Sequence, residues 1–184
     1  MEYKSKDLVK GFIWSGLDKL GVVFLQLALE LILARLLLPK DYGVIGVVLV
    51  FISLAVTFSE GGFSNALIQK LDRNEIDFST VFYFNIATSC IIVILLYFIA
   101  PYIESFFRIA GLTLVLRVIS LSIIFNSVVM VHKVRLSIAM DFKSQAKYSL
   151  LAVFFSGILG VYLAYHHYGV WALVYMQVAQ SAIS

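Results

Sequence analysis

"FSTVFYFNIATSCIIVILLYFIAPYI", residues 78–103, runs for twenty-six residues without one Asp, Glu, Lys or Arg. A helix rises about 1.5 Å per residue, and about 20 mainly apolar residues cross a hydrocarbon core roughly 30 Å thick. This stretch is long enough to span a bilayer, and it decides the class of the whole chain. Working outward, the same pattern recurs on both sides. Tyr42 to Ser59 holds no charged residue, and neither does Tyr148 to Ser184. The latter is too long for one crossing and must fold back, with "HHYG" (His166 to Gly169) as the natural turn. Six spans are therefore expected, at 11–36, 42–68, 79–101, 112–131, 147–166 and 170–184. The fold class is all-α, a polytopic membrane protein with six transmembrane helices in one bundle.

Composition agrees. The 184 residues are 61% hydrophobic and 14% charged, with a mean hydropathy of +0.97, whereas a soluble domain carries about 25% charged residues. The formal charge of +3 does not indicate nucleic acid, because the basic residues are scattered among apolar segments. Cys90 is the single cysteine, so an internal disulfide is excluded and the redox compartment stays open. The basic start "MEYKSKDLVKGF" precedes an apolar run, but Asp18 and Lys19 interrupt it and no small-residue cleavage site follows. An uncleaved first helix is expected. Lys and Arg counts in the connections put nine residues on the side of the N-terminus (Lys4, Lys6, Lys10, Lys70, Arg73, Lys133, Arg135, Lys143, Lys147) and three on the other (Arg35, Lys40, Arg108). That bias places the N-terminus in the cytoplasm. The connection "HKVRLSIAMDFKSQAK", residues 132–147, is basic and amphipathic. It is read either as a segment lying along the membrane surface, drawn by anionic lipid, or as a solvated loop. The last span ends at "VAQSAIS" with no basic flank, so the chain is expected to be a fragment or truncated product.

Polar residues recur inside the spans at helical spacing. Ser15, Lys19, Gln26 and Glu30 are 4, 7 and 4 residues apart, an arc of about 60° on one face. Gly46, Ser53, Thr57, Glu60 and Ser64 fall on one face of the second span, and Arg117, Ser120 and Ser127 share a looser side of the fourth. A charge held at mid-bilayer costs at least about 2.5–3.5 kcal/mol. These faces are therefore expected to turn to a protein interior or a wet cavity, as an internal polar path. Glu60, in "FSEGGFSNALIQK" (58–70), is either the interfacial end of a helix or a cavity-facing acid on a longer one. Its register with Thr57 and Ser64 favours the second. Pairing within the membrane, for example Lys19 with Glu30, is the structural alternative at these positions.

In the third span Asn85, with Thr80, Thr88 and Ser89, either continues the path or bonds neighbouring backbone. Ser156, Gly160 and Ala164 form a small-xxx-small ladder for close helix packing. His166 and His167 lack a third metal ligand nearby, and no nucleophile elbow, phosphate loop or zinc motif occurs. No enzyme activity, cofactor or metal is expected.

The stretch "LILARLLLPKDYGVIGVVLVFISLAVTFSEGGFSNALIQK", followed by "LRVISLSIIFNSV", "RLSIAMDFKSQA" and "GVWALV" in that order, resembles prokaryotic polysaccharide exporters. These are the Wzx-type flippases of the multidrug/oligosaccharidyl-lipid/polysaccharide (MOP) superfamily, most of all the colanic-acid and teichuronic-acid branch. The resemblance implies twelve to fourteen helices in two bundles about a central cavity, of which residues 1–184 would be the N-terminal bundle. It also implies export of a polyprenyl-diphosphate-linked oligosaccharide across a bacterial or archaeal cytoplasmic membrane. That export serves lipopolysaccharide, capsule or exopolysaccharide synthesis, by alternating access and alongside other polysaccharide assembly proteins. The candidate substrate contacts are Lys19, Gln26, Arg35, Ser53, Thr57, Asn85, Arg117 and Arg135, with Glu30 and Glu60 as candidate ion-coupling acids. A cation-coupled drug or metabolite antiporter of the same superfamily, and a non-transporting truncated membrane protein, are the alternatives.

Overall fold

The computed structural model describes residues 5–60, 67, 74–139 and 141–183, without the side chains of 5–19, 60, 142 and 143. Among the described residues six helices longer than a single position follow one another: α1 (Ser5–Leu36), α2 (Pro39–Glu60), α3 (Glu75–Phe107), α4 (Leu112–Ile138), α5 (Phe142–Tyr165) and α6 (Val170–Ile183). Among the described residues, α2 to α5 each contain a stretch long and apolar enough to cross a membrane, and α6 is a shorter apolar helix. Whether α2 continues past Glu60 lies outside the described residues.

The helix ends have local causes. Leu38 and Pro39 open α2, proline supplying no N–H where none is needed. Asp41 then reaches back to accept the Leu38 N–H at 3.1 Å. Asn74 starts α3, with its N–H given to Asp77 at 2.9 Å. At the far end of α3, the Glu104 carboxylate caps the next helix by accepting the Gly111 and Thr113 N–H groups at 3.1 and 2.7 Å. The turn between α5 and α6 falls at His166–Gly169 as expected, with left-handed backbone at His167 and Gly169.

One connection differs from the sequence reading. Residues 132–147 do not form a separate surface-lying segment or a loop. The α4 helix continues to Ile138, a turn follows, and α5 begins at Phe142. The cause is a cap: Asp141 accepts the Ser144 N–H at 3.1 Å and its hydroxyl at 2.6 Å, which starts a new helix at once.

The main core lies among α2, α3, α4 and α6, where Ile45, Val48, Ile52, Leu96, Leu116, Ile119, Ile123 and Val174 pack together. Helix α4 is central: it touches α2, α3, α5 and α6, and half of its membrane-length stretch is buried. Helix α1 instead packs chiefly on α5. There the small ladder acts as expected. Ser156 and Ala164 are fully buried, and a side chain at Gly160 would meet Met176 of α6. Gly157, which the ladder did not single out, faces α1: a Cβ there would collide with Leu29. Close backbone approach through small residues is the usual way to gain contact where lipid removes the hydrophobic drive between helices.

Candidate functional site

Helix α2 buries Ile45, Val48, Ile52, Ala55 and Ser59, spaced 3, 4, 3 and 4 residues apart. Gly46, Ser53 and Thr57 are exposed, roughly 140° around the helix from that seam at 100° per residue. The polar stripe of α2 thus lies on the outside of this bundle. Both hydroxyls donate to their own helix, Ser53 to the Val50 carbonyl at 2.9 Å and Thr57 to the Ser53 carbonyl at 2.8 Å. Their oxygen lone pairs are left free to accept from a ligand hydroxyl.

On α1 the seam toward α5 is Leu29 and Leu33, continued by Leu37 just past the helix end, and the polar residues flank it. Gln26 is half-buried, while Glu30 and Arg35 are exposed. The side chains of Lys19 and Glu60 lie outside the described residues.

Three other candidates sit elsewhere. Asn85 is fully buried in α3. Its amide donates to the Met130 sulfur of α4 at 3.0 Å, and its carbonyl oxygen has no hydrogen-bond partner. One turn along α3, Ser89 meets the buried Ser59 hydroxyl of α2 at 2.5 Å, and Met130 also lines a cavity of about 10 Å³ with Ser59, Asn126 and Ser127. That volume is near the lower limit for one water molecule.

Arg117 of α4 is half-buried and turned to α3. Its Nε donates to the Tyr97 carbonyl at 3.3 Å, and its guanidinium lies 3.8 Å over the Tyr97 ring. The reason lies one turn beyond Tyr97. Pro101 sits inside α3 and has no N–H, so the Tyr97 carbonyl lacks its i+4 donor. Arg117 supplies the donor from the neighbouring helix.

Arg135, at the other end of α4, bonds Glu75 of α3 at 2.5 Å and lies 4.7 Å over the Phe78 ring. The pair ties the start of α3 to the end of α4. The sequence candidates are therefore not gathered in one place. Gln26, Glu30, Arg35, Ser53 and Thr57 lie on the surface of α1 and α2, Asn85 lies inside the bundle, and Arg117 and Arg135 each engage α3. Among the described residues no three His, Cys, Asp or Glu side chains gather as a metal site would require.

The first sequence resemblance also acquires a spatial meaning. Asp41, in the first turn of α2, is buried, and its Oδ1 would stand 3.3 Å from a Cβ placed on Gly169, in the α5–α6 turn. The "LPKDYG" and "HHYGVWALV" segments meet at one end of the bundle. Residues 32–184, which include both, match the family model described as polysaccharide biosynthesis protein. The chain belongs to the polysaccharide biosynthesis protein family.

Relatives in the family are distant. The succinoglycan biosynthesis transport protein ExoT of Rhizobium meliloti is 25% identical over 92% of this chain and 34% of its own length. The lipopolysaccharide biosynthesis protein WzxC of Escherichia coli is 23% identical over 63% of this chain and 24% of its own. The teichuronic acid biosynthesis protein TuaB of Bacillus subtilis is 23% identical over 87% and 32%. The chain thus spans about a third or less of these relatives. No solved structure matches it.

Proposed function

We propose that the chain is the N-terminal six-helix bundle of an exporter that moves a polyprenyl-diphosphate-linked oligosaccharide across the bacterial or archaeal cytoplasmic membrane. A second bundle would close over the faces of α1 and α2 to complete a central cavity, worked by alternating access. The N-terminus is cytoplasmic on this reading, following the nine-to-three excess of Lys and Arg.

The observation that carries the proposal is the exposed face of α2. Gly46, Ser53 and Thr57 look outward from a helix otherwise built for hydrocarbon. Glu30 is also exposed, on α1. Against lipid a carboxylate costs at least about 2.5–3.5 kcal/mol; against a water-filled cavity it costs little. The family description and the transport named for ExoT point the same way.

The chemistry required is modest. Ser53, Thr57 and Gln26 would accept from and donate to sugar hydroxyls in place of water. Arg35, with Lys19 and Arg135, would pair with diphosphate oxygens, which charge-assisted bonds favour. Glu30 and Glu60 would take up a proton or a cation as the cavity changes sides.

Cysteine labelling in the full-length protein tests this directly. With Cys90 replaced by Ala, Ser53→Cys and Thr57→Cys are expected to react with a membrane-impermeant thiol reagent. Ile94→Cys, on an exposed apolar face of α3, is expected not to react. Labelling of Ile94→Cys alone, with Ser53 and Thr57 protected, would mean that α2 faces lipid. Export of lipid-linked glycan by the Glu30→Gln and Ser53→Leu variants is the functional counterpart, and unchanged export in both would remove the proposed path.

A further inference from the structure

Helices α4 and α5 share a tight turn, yet they touch each other little. Helix α4 leans chiefly on α3 and α6, and α5 on α1 and α6. A cavity of about 420 Å³ opens between them at the end of the bundle that holds their turn, a size typical of small-molecule sites. Its polar lining is His132, Lys133 and Arg135 of α4 with Gln145 and Tyr148 of α5. Val129, Leu136 and Ile183 form its apolar wall.

Depth in the bilayer follows from helix length. Helix α4 has 27 residues, about 40 Å at 1.5 Å each, against a hydrocarbon core of about 30 Å. The excess is about two turns, and the charged residues Lys133 and Arg135 of the last two turns assign it to this end, at headgroup level. This is also the end on which the basic residues of the connections gather, where anionic lipids are expected.

We infer that this cavity binds the headgroup of an anionic phospholipid. Lys133 and Arg135 face the phosphate, the Gln145 amide and the Tyr148 hydroxyl donate to phosphate and glycerol oxygens, and the acyl chains leave along Leu136 and Ile183. Arg135 can take part without giving up its bond to Glu75. The hydrogen bond to Glu75 uses one guanidinium nitrogen, Nη2, and the fork has five N–H groups. The inference does not rest on the export reading: of the candidate export contacts only Arg135 lines the cavity, and the variants that test the inference leave Arg135 in place.

The neighbouring Lys147 makes the inference testable. It is exposed, two residues beyond Gln145, and carries the same charge as Lys133 without lining the cavity. The full-length protein would be purified in mild detergent and titrated with dioleoyl phosphatidylglycerol or dioleoyl phosphatidylcholine. Bound lipid is counted by native mass spectrometry. Preferential retention of phosphatidylglycerol is expected. Lys133→Gln should weaken it about fivefold, the size of one basic contact at a membrane surface, and Tyr148→Phe by a smaller factor. Lys147→Gln should change it less than twofold. Equal losses from Lys133→Gln and Lys147→Gln would overturn the site in favour of diffuse surface attraction. Equal retention of both lipids would overturn it too, as when another part of the full-length protein fills the cavity. Displacement of the lipid by millimolar inorganic phosphate, or preference for a polyprenyl phosphate, would overturn the assignment to a phospholipid.

Discussion

Arg117 is a sequence candidate for gripping diphosphate, and its surroundings suggest a different task that can be measured. Its Nε bonds the Tyr97 carbonyl at 3.3 Å and its guanidinium stacks 3.8 Å above the Tyr97 ring. Replacing it by Met keeps much of the apolar stem and removes both interactions. An orphaned carbonyl costs about 1–3 kcal/mol, and a partly desolvated cation–π contact is worth about 0.5–2 kcal/mol. Arg117→Met should therefore cost about 1.5–5 kcal/mol. Pro101→Ala changes the outcome, because the N–H that alanine brings to this position can bond the Tyr97 carbonyl along the helix. In that background Arg117→Met should cost only the cation–π share, about 0.5–2 kcal/mol. The coupling between the two sites is then about 1–3 kcal/mol, obtained from unfolding of four purified proteins in mixed micelles. A coupling indistinguishable from zero would refute the reasoning. If Arg117→Met also abolished export at full stability, the residue would return to the substrate.

Three further outcomes are expected. Gly169→Ala should destabilise the protein by about 1–2 kcal/mol, since its φ of +57° strains any L side chain. The new Cβ would also press on Asp41; Gly111→Ala, strained alike but in open space, isolates the second effect in the same unfolding assay. Gly157→Ala should force α1 away from α5 at Leu29 and cost about 1–3 kcal/mol as overpacking. Leu29→Ala in the same chain should restore part of it, read by thermal unfolding. Asn85→Leu should leave stability unchanged or raise it, because the unpaired carbonyl oxygen disappears with the side chain. A loss above about 2 kcal/mol would instead reveal a bound partner on that oxygen.

Much of the fold is legible in the sequence because the bilayer leaves few options. Charge-free runs such as 78–103 have to be helices, since backbone groups in hydrocarbon must be bonded within the segment. The His166–Gly169 turn and the packing ladder on α5 follow from the same local constraints. The 132–147 connection misleads because a basic amphipathic pattern looks alike whether it lies on a surface or ends two helices. Only the Asp141 cap distinguishes the cases, and a single aspartate is a weak signal.

The candidate site divides along a different line. Spacing alone established that Gly46, Ser53 and Thr57 share one face of α2, because a helix fixes the angle between its own residues. Spacing could not say what covers that face, and an internal path within these six helices was the natural expectation. Tertiary packing decided it: α2 seals its Ile45–Ser59 seam against α3, α4 and α6, which leaves the polar stripe outside. Likewise Pro101 marks the Tyr97 carbonyl as unpaired from sequence, yet its donor lies twenty residues away on another helix. Local periodicity and proline chemistry are properties of one helix, whereas the partner that answers them is set by how the helices meet.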